Sequence, residues 1–350
     1  MIKVIVVEDS PVVRDLLVHI LDSDPEIRVI DTAGNGEEAI AAAGRNRPDL
    51  ITMDVHMPKM DGFEATRIIM ETNAVPIVIV TGSTSMMEME CSFQALEAGA
   101  LTVIQKPVGI SHPAYKERAG ELIRTVKLMS EVKVVRRWAR RSRKAPETRI
   151  IAPAQMTPAD IRVVAIGAST GGPPVIQQIL SGLPKEFPVP VLIVQHMAVG
   201  FIQGFVEWLG QTSGLPVHVA IDGSRILSGH AYVAPEKLQM KVGNNGRLSC
   251  SGNGHENGLC PAVSHLFRSV AEVFGMNAMG ILLTGMGKDG AEELKLMREK
   301  GAVTVAQDEE SSVVFGMPGE AVKLNAAKYV LPPAGIVDLL GQLAIKQIRS

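Results

Sequence analysis

Two groups of residues along this chain carry chemistry by their type and by where they fall. The first is acidic. Glu8 and Asp9 follow the apolar run IKVIVV, Asp54 closes DLITMD, Thr81 closes VPIVIVT, and Lys106 follows LTVIQ. If these runs are parallel strands of one open sheet, the residues just past their carboxyl ends share a ligand crevice. Three carboxylates gathered there repel one another unless a divalent cation sits among them, and hard oxygen donors suit Mg²⁺. A lysine and a hydroxyl beside them are placed to receive the oxygens of a transferred phosphoryl group. Taken singly each residue has an ordinary reading, since an Asp at a strand end is commonly a helix cap or a turn residue.

The second group begins in VAIGASTGGPP, residues 164 to 174. Gly167 to Gly171 matches G-x-S-x-G, in which a serine sits on a sharp strand-to-helix turn with its hydroxyl exposed. A phosphate cradle is the weaker reading, because no G-x-x-x-x-G-K-[ST] is present. Serine in a glycine-rich turn is by default a helix cap, so the weight falls on its partners. VPVLIVQHM places His196 at the end of the next apolar run, and GILLTGMGKDG places Asp289 just beyond another. A Ser/His/Asp relay needs this convergence: imidazole takes the hydroxyl proton, the carboxylate fixes its tautomer, and backbone amides stabilise the oxyanion. The order Ser, His, Asp departs from the α/β-hydrolase order, which would need His255 or His265, both in polar surroundings that suit a surface residue. His196 also admits the reading of a satisfied buried histidine, and Asp289 that of a cap for AEELKLMREK. A rival of another class uses Gly285-Met-Gly287-Lys-Asp-Gly290, a literal G-x-G-x-x-G, with Asp308 ending the following apolar run. That is a dinucleotide-binding pattern. Lys288 and Asp289, charged inside the loop, weigh against it, and it leaves Ser169 and His196 idle.

The elements that must position these residues are legible as a pattern. Over the first hundred residues short β-branched runs alternate with helical periodicity, which predicts α/β architecture with a parallel sheet and right-handed crossovers. From about Ser130 a basic stretch and scattered Pro and Ala read as a helix end running into a linker. A second strand series starts at Ile161. The expected division is 1–130, a linker over 131–160, and 161–350. With 350 residues, 46% hydrophobic and 21% charged, the chain is long enough for two globular domains. MIKVIVVEDS does not read as a signal peptide and no apolar stretch reaches membrane-span length, so a cytoplasmic location without membrane insertion is expected. Cys91, Cys250 and Cys260 lack metal-ligand spacing. A net charge of −2 argues against general nucleic-acid binding. The basic run from Arg136 to Lys144 lacks a recognition-helix pattern after it, so no nucleic-acid partner is expected.

Residues 1 to about 125 resemble the response-regulator receiver domain, on VVEDS, MDVHMPKMDG, IVIVTGS and QKP. The resemblance implies a flavodoxin-like five-stranded parallel sheet, with Asp54 taking phosphate from a histidine kinase. It further implies Mg²⁺ held by Asp9, Asp54 and the His56 carbonyl, with Glu8 acting through water. Thr81 and Lys106 would be the switch residues, with a cis proline after the lysine. Val103 stands where receivers usually carry Tyr or Phe. The whole chain resembles the chemotaxis protein-glutamate methylesterases, on GASTGGP, QHM with FIQGFVEWL, AYVAP, LFRSVAE, TGMGKDGAEEL and VVFGMPGEAV. That resemblance implies a Rossmann-like doubly wound esterase domain needing no cofactor. In it Ser169 is the nucleophile, His196 the base and Asp289 its orienter, with the Thr170 and Met286 amides as oxyanion donors. Methylated chemoreceptor helices are the implied substrate. The same relay would deamidate glutamine, since an amide differs from the ester only in its leaving group. The order of the parts and a linker long enough for the receiver to cover the esterase edge lead to the expectation that the unphosphorylated receiver inhibits. Ala198, Glu236 and Ser264 depart from the family pattern around the expected cleft.

Overall fold

The computed structural model describes residues 1–82, 86–132, 134, 161–252, 254 and 258–347. The chain divides into two compact units, Met1–Pro146 and Glu147–Ser350. The expected linker and its basic run lie almost wholly outside the described residues.

In the first unit β1 (Ile2–Val7), β2 (Ile27–Ala33), β3 (Leu50–Met53), β4 (Ile77–Thr81) and β5 (Thr102–Gln105) form one five-stranded sheet in the order β2-β1-β3-β4-β5. All its pairings are parallel. This is the flavodoxin-like order, and the place where it reverses lies between β1 and β3. Helices α1 (Pro11–Asp22), α2 (Gly36–Asn46), α3 (Gly62–Thr72), α4 (Met86–Ala98) and α5 (Tyr115–Ser130) connect the strands and follow the last one. β3 and β4 are buried throughout, which is why they read as unbroken apolar runs. Local chemistry sets the helix starts: Pro11 opens α1, Asn35 accepts from the Glu38 amide at 3.1 Å, and Asp61 accepts from the Glu64 amide at 2.8 Å. Gly62 is required because a Cβ there would lie 1.9 Å from the Asp54 carbonyl oxygen. The expected cis bond is not found: Lys106–Pro107 is trans, and the one cis bond among the described residues precedes Pro261. Lys106 reaches its carboxylate partners from that trans backbone.

The second unit is built on β6 (Val163–Ala168), β7 (Val191–Gln195), β8 (Val217–Val219), β9 (Ala231–Val233), β12 (Ala278–Leu282), β13 (Val303–Gln307) and β14 (Tyr329–Leu331). They pair in parallel in the order β14-β13-β12-β6-β7-β9-β8. The chain works outward from β6 on one side, then returns to build β12 on the other, so the reversal lies between β6 and β12. The helices are α6 (Gly172–Ser181), α7 (Ile202–Ser213), α8 (Val263–Phe274), α9 (Ala291–Glu299), α10 (Met317–Lys323) and α11 (Pro333–Gln347). Helix α8 buries Val263, Leu266, Phe267, Val270 and Ala271 in the core under β6 and β12. A separate antiparallel pair, β10 (Gln239–Val242) with β11 (Leu248–Ser251), falls outside the parallel pattern read from the sequence. Asn245-Gly246 turns between them with Gly246 at φ +68°, a hairpin signal.

Candidate functional site

At the carboxyl edge of the first sheet the acidic group assembles where the strand order reverses. Ligand oxygens of Glu8, Asp9 and Asp54 lie within 4.8 Å of one another. Lys106 Nζ lies 2.8 Å from Glu8 Oε2 and 2.8 Å from Asp54 Oδ2. Burial raises the pKa of Glu8 and of Asp54, opposed in each case by the bond to Lys106. Burial alone would lower that of Lys106, but its bonds to Asp54 and Glu8 outweigh it and raise the value. The donor set, three carboxylates with hard oxygens, fits Mg²⁺. Asp9 is exposed and Glu8 buried, so Asp9 is the more accessible of the two. His56 follows in the loop from β3 to α3 with its side chain exposed. Thr81 is buried at the end of β4, and Val103 is half-buried on β5 opposite Ile79.

In the second unit, register brings the relay residues together. β6 pairs with β7 so that Ala168 faces Gln195, which makes Ser169 and His196 the next residues on neighbouring strands. The His196 amide donates to the Ala168 carbonyl at 3.0 Å, and the Ser169 amide to the Thr284 carbonyl at 3.0 Å. His196 Nε2 lies 2.9 Å from Asp289 Oδ2. Nε2 is thus the ring nitrogen that faces the acid, and Nδ1 is the other. Asp289 is buried; burial pushes its pKa up, but the bond from His196 and those from the Ser264 and Val263 amides hold the carboxyl below the usual range. Those amides, at 3.0 and 2.6 Å, are the first of α8. Asp289 therefore caps a helix, though not the expected one: its carboxylate sits at the N-terminus of α8, while Gly290 is the N-cap residue of α9.

The amides of Ser169 and Gly285 are bonded, and those of Thr170 and Met286 donate to nothing else among the described residues. Met286 itself is 53% exposed. The glycine-rich loop is closed on its other side. Gly285 pairs with Phe315, Met317 donates to the Gly285 carbonyl at 2.9 Å, and a Cβ on Gly316 would lie 2.6 Å from that same carbonyl. Asp308 accepts from the Ser311 amide and hydroxyl within its own turn. The loop that a pyrophosphate would need is thus occupied by the 315–317 segment, and the acid expected on a ribose is engaged. His265 is half-buried on α8, unlike the surface residue expected, and His255 lies outside the described residues. Glu236, one of the departures, accepts from the Gly200 and Ile202 amides at 2.6 and 3.2 Å and so anchors the start of α7 close after His196.

The CheB methylesterase family profile matches residues 164–340, and the response regulator receiver domain profile matches residues 4–112. The chain is 56% identical over 348 residues to the protein-glutamate methylesterase/protein-glutamine glutaminase of Nitrosospira multiformis, covering 99% of this chain and 98% of that one. This chain belongs to that methylesterase family. A similarly named protein from Syntrophus aciditrophicus is 56% identical over 351 residues, covering 98% of this chain and 99% of its own. The CheB methylesterase catalytic domain of Thermotoga maritima, a crystal structure, matches 52% of this chain and 98% of its own with a TM-score of 0.50 and 36% identity. The methylesterase chain thus carries a receiver ahead of a catalytic domain. No helix among the described residues is long and apolar enough to cross a membrane.

Proposed function

We propose that this protein hydrolyses glutamate γ-methyl esters on chemoreceptor cytoplasmic helices under control of phosphorylation at Asp54, and deamidates glutamine by the same relay. The observation that carries this reading is the meeting of Ser169, His196 and Asp289 where the order of the second sheet reverses. Ser169 Oγ attacks the γ-carbonyl carbon while His196 takes its proton at Nδ1. The developing oxyanion is received by the Thr170 and Met286 amides. His196 then returns the proton to the departing methoxide, releasing methanol and leaving the acyl group on Ser169. Water, deprotonated by His196, hydrolyses the acyl-serine to the free carboxylate. An amide differs only in that ammonia leaves. Asp289, ionised at the N-terminus of α8, keeps the imidazole oriented.

In the receiver, Asp54 accepts the phosphoryl group of a histidine kinase, and Lys106 and Thr81 meet the new oxygens. Asp9, Asp54 and the His56 carbonyl would hold Mg²⁺, with Glu8 beside them, and the cation would offset the charge of the transferred group. The proposed domain limits are 1–130 and 161–350, and the protein acts in the cytoplasm. The test is methanol release from methylated receptor membranes. Ser169→Ala and His196→Ala should each bring it near background, with the double variant hardly slower, because residues of one relay act as a unit. Undiminished release from either single variant would refute the assignment.

A further inference from the structure

Gln195, the residue before the base, has its side chain 2% exposed at the end of β7. Its Nε2 lies 2.7 Å from the Ser169 carbonyl oxygen and 2.8 Å from that of His196. Both neighbours can only accept, so both hydrogens of the amide are spent and its orientation is fixed. The Ser169 carbonyl belongs to the same planar peptide unit as the Thr170 amide. In a trans unit the two point in opposite directions, so whatever holds the carbonyl aims the amide. The Gly172 amide takes the remaining acceptor position on that oxygen at 2.9 Å. Hydrogen bonds that end on a carbonyl also polarise its own N–H and make it a stronger donor. The second bond, to the His196 carbonyl, fixes the backbone where the base leaves its strand.

We infer that Gln195 is a positioning residue for the esterase reaction, aligning the Thr170 amide toward the oxyanion and holding His196 in register with Ser169. This rests on the relay proposed above. The cost of keeping it there speaks for the same conclusion. The Gln195 amide oxygen is buried without a hydrogen-bond partner among the described residues. It packs instead on Gly172, where a Cβ would lie 2.2 Å from it. A buried acceptor left unpaired is unfavourable. A side chain chosen only to fill this space would be apolar.

The experiment compares the full-length protein with its Gln195→Met and Gln195→Glu variants. Methionine keeps the length and loses both donors; glutamate keeps the shape and presents two acceptors to two carbonyls. Ester hydrolysis on methylated receptor membranes is normalised to the number of serines labelled to completion by a fluorophosphonate, so that misfolded molecules do not count. The expected result is a fall of kcat per labelled site by roughly 10- to 100-fold, the scale of a misaligned oxyanion donor. KM should stay within about threefold, because alignment matters where charge develops. The unfolding temperature of Gln195→Met should not fall with kcat. If Gln195→Met retains wild-type kcat per labelled site and loses only stability or labelled fraction, Gln195 is merely structural and the inference is overturned. Ser169→Ala run alongside separates the two readings: its full activity would bring down the relay itself, whereas an inactive Ser169→Ala beside a fully active Gln195→Met would bring down only the role of Gln195.

Discussion

Asp289 performs two jobs with one carboxylate, and the pH dependence of stability exposes the pairing. Its folded pKa is lowered: burial opposes ionisation, and the bonds from His196 and the two α8 amides more than offset it. The stability it contributes is therefore in place above the ordinary carboxylate pKa of about 4 and is lost as pH falls through the lowered folded value. Asp289→Asn cannot ionise and removes that contribution. The variant should be less stable by about 1–3 kcal/mol near pH 7, the scale of a lost cap and of a bond to a charged group. The gap should close below about pH 4. Thermal unfolding followed across pH checks this, and a gap independent of pH would mean that ionisation of Asp289 contributes nothing. At this scale the sequence supplied the reacting groups but not their support. Asp289 could be read only against the helix next to it, because its amide partners lie 25 and 26 residues earlier in the chain. Gln195 carried one usable signal, an amide closing a run of residues otherwise suited to burial, and it was hidden beside the histidine it serves.

The strands were legible because parallel strands buried on both faces read as unbroken apolar runs, and Asp54, Ser169 and His196 each stand just past the end of one. Register was not legible: that Ala168 faces Gln195, and so that Ser169 and His196 are neighbours, follows from pairing across the sheet. The β10–β11 pair was missed because its strands are short and only half follow an alternating pattern. Glycine in the site loop is a requirement of the same cross-strand geometry. A Cβ on Gly285 would lie 2.7 Å from Ser169 Cβ and 2.5 Å from Met317 Sδ. Met317 can yield, but Ser169 is held by the hydrogen bond its amide donates to the Thr284 carbonyl, so the loop bearing Met286 must shift instead. Gly285→Ala should thus lower kcat by about 10-fold or more, in line with a small displacement of aligned groups. Its effect on phosphorylation of Asp54 should be nil, since that site belongs to the other sheet. Acetyl-phosphate labelling and ester hydrolysis measured on the same preparation decide it; equal losses in both would indicate general misfolding.

Joining a receiver to an esterase allows the two chemistries to be thermodynamically linked. In the resting receiver Lys106 is shared by Glu8 and Asp54, each at 2.8 Å. Phosphorylation replaces one of those carboxylates with a group carrying more charge and more acceptor oxygens, so Lys106 and Thr81 must be repartnered. That event changes the esterase only to the extent that the phosphorylated and resting receivers differ in their free energy of interaction with the rest of the chain. A difference of about 1.4 kcal/mol suffices for a tenfold change in the active population. Val103 replaces the aromatic side chain common at this position in receivers, which removes one large group able to report the change, so a response of about tenfold or less is expected. The direction expected from the sequence is relief of inhibition. Acetyl phosphate with Mg²⁺ should raise methanol release by the full-length protein, and Asp54→Asn should remove the increase. A folded fragment of residues 150–350 should outpace the unphosphorylated full chain, because it lacks the receiver. Should the fragment prove slower than the full chain both with and without acetyl phosphate, the receiver acts by bringing substrate to the esterase, and inhibition is the wrong sign.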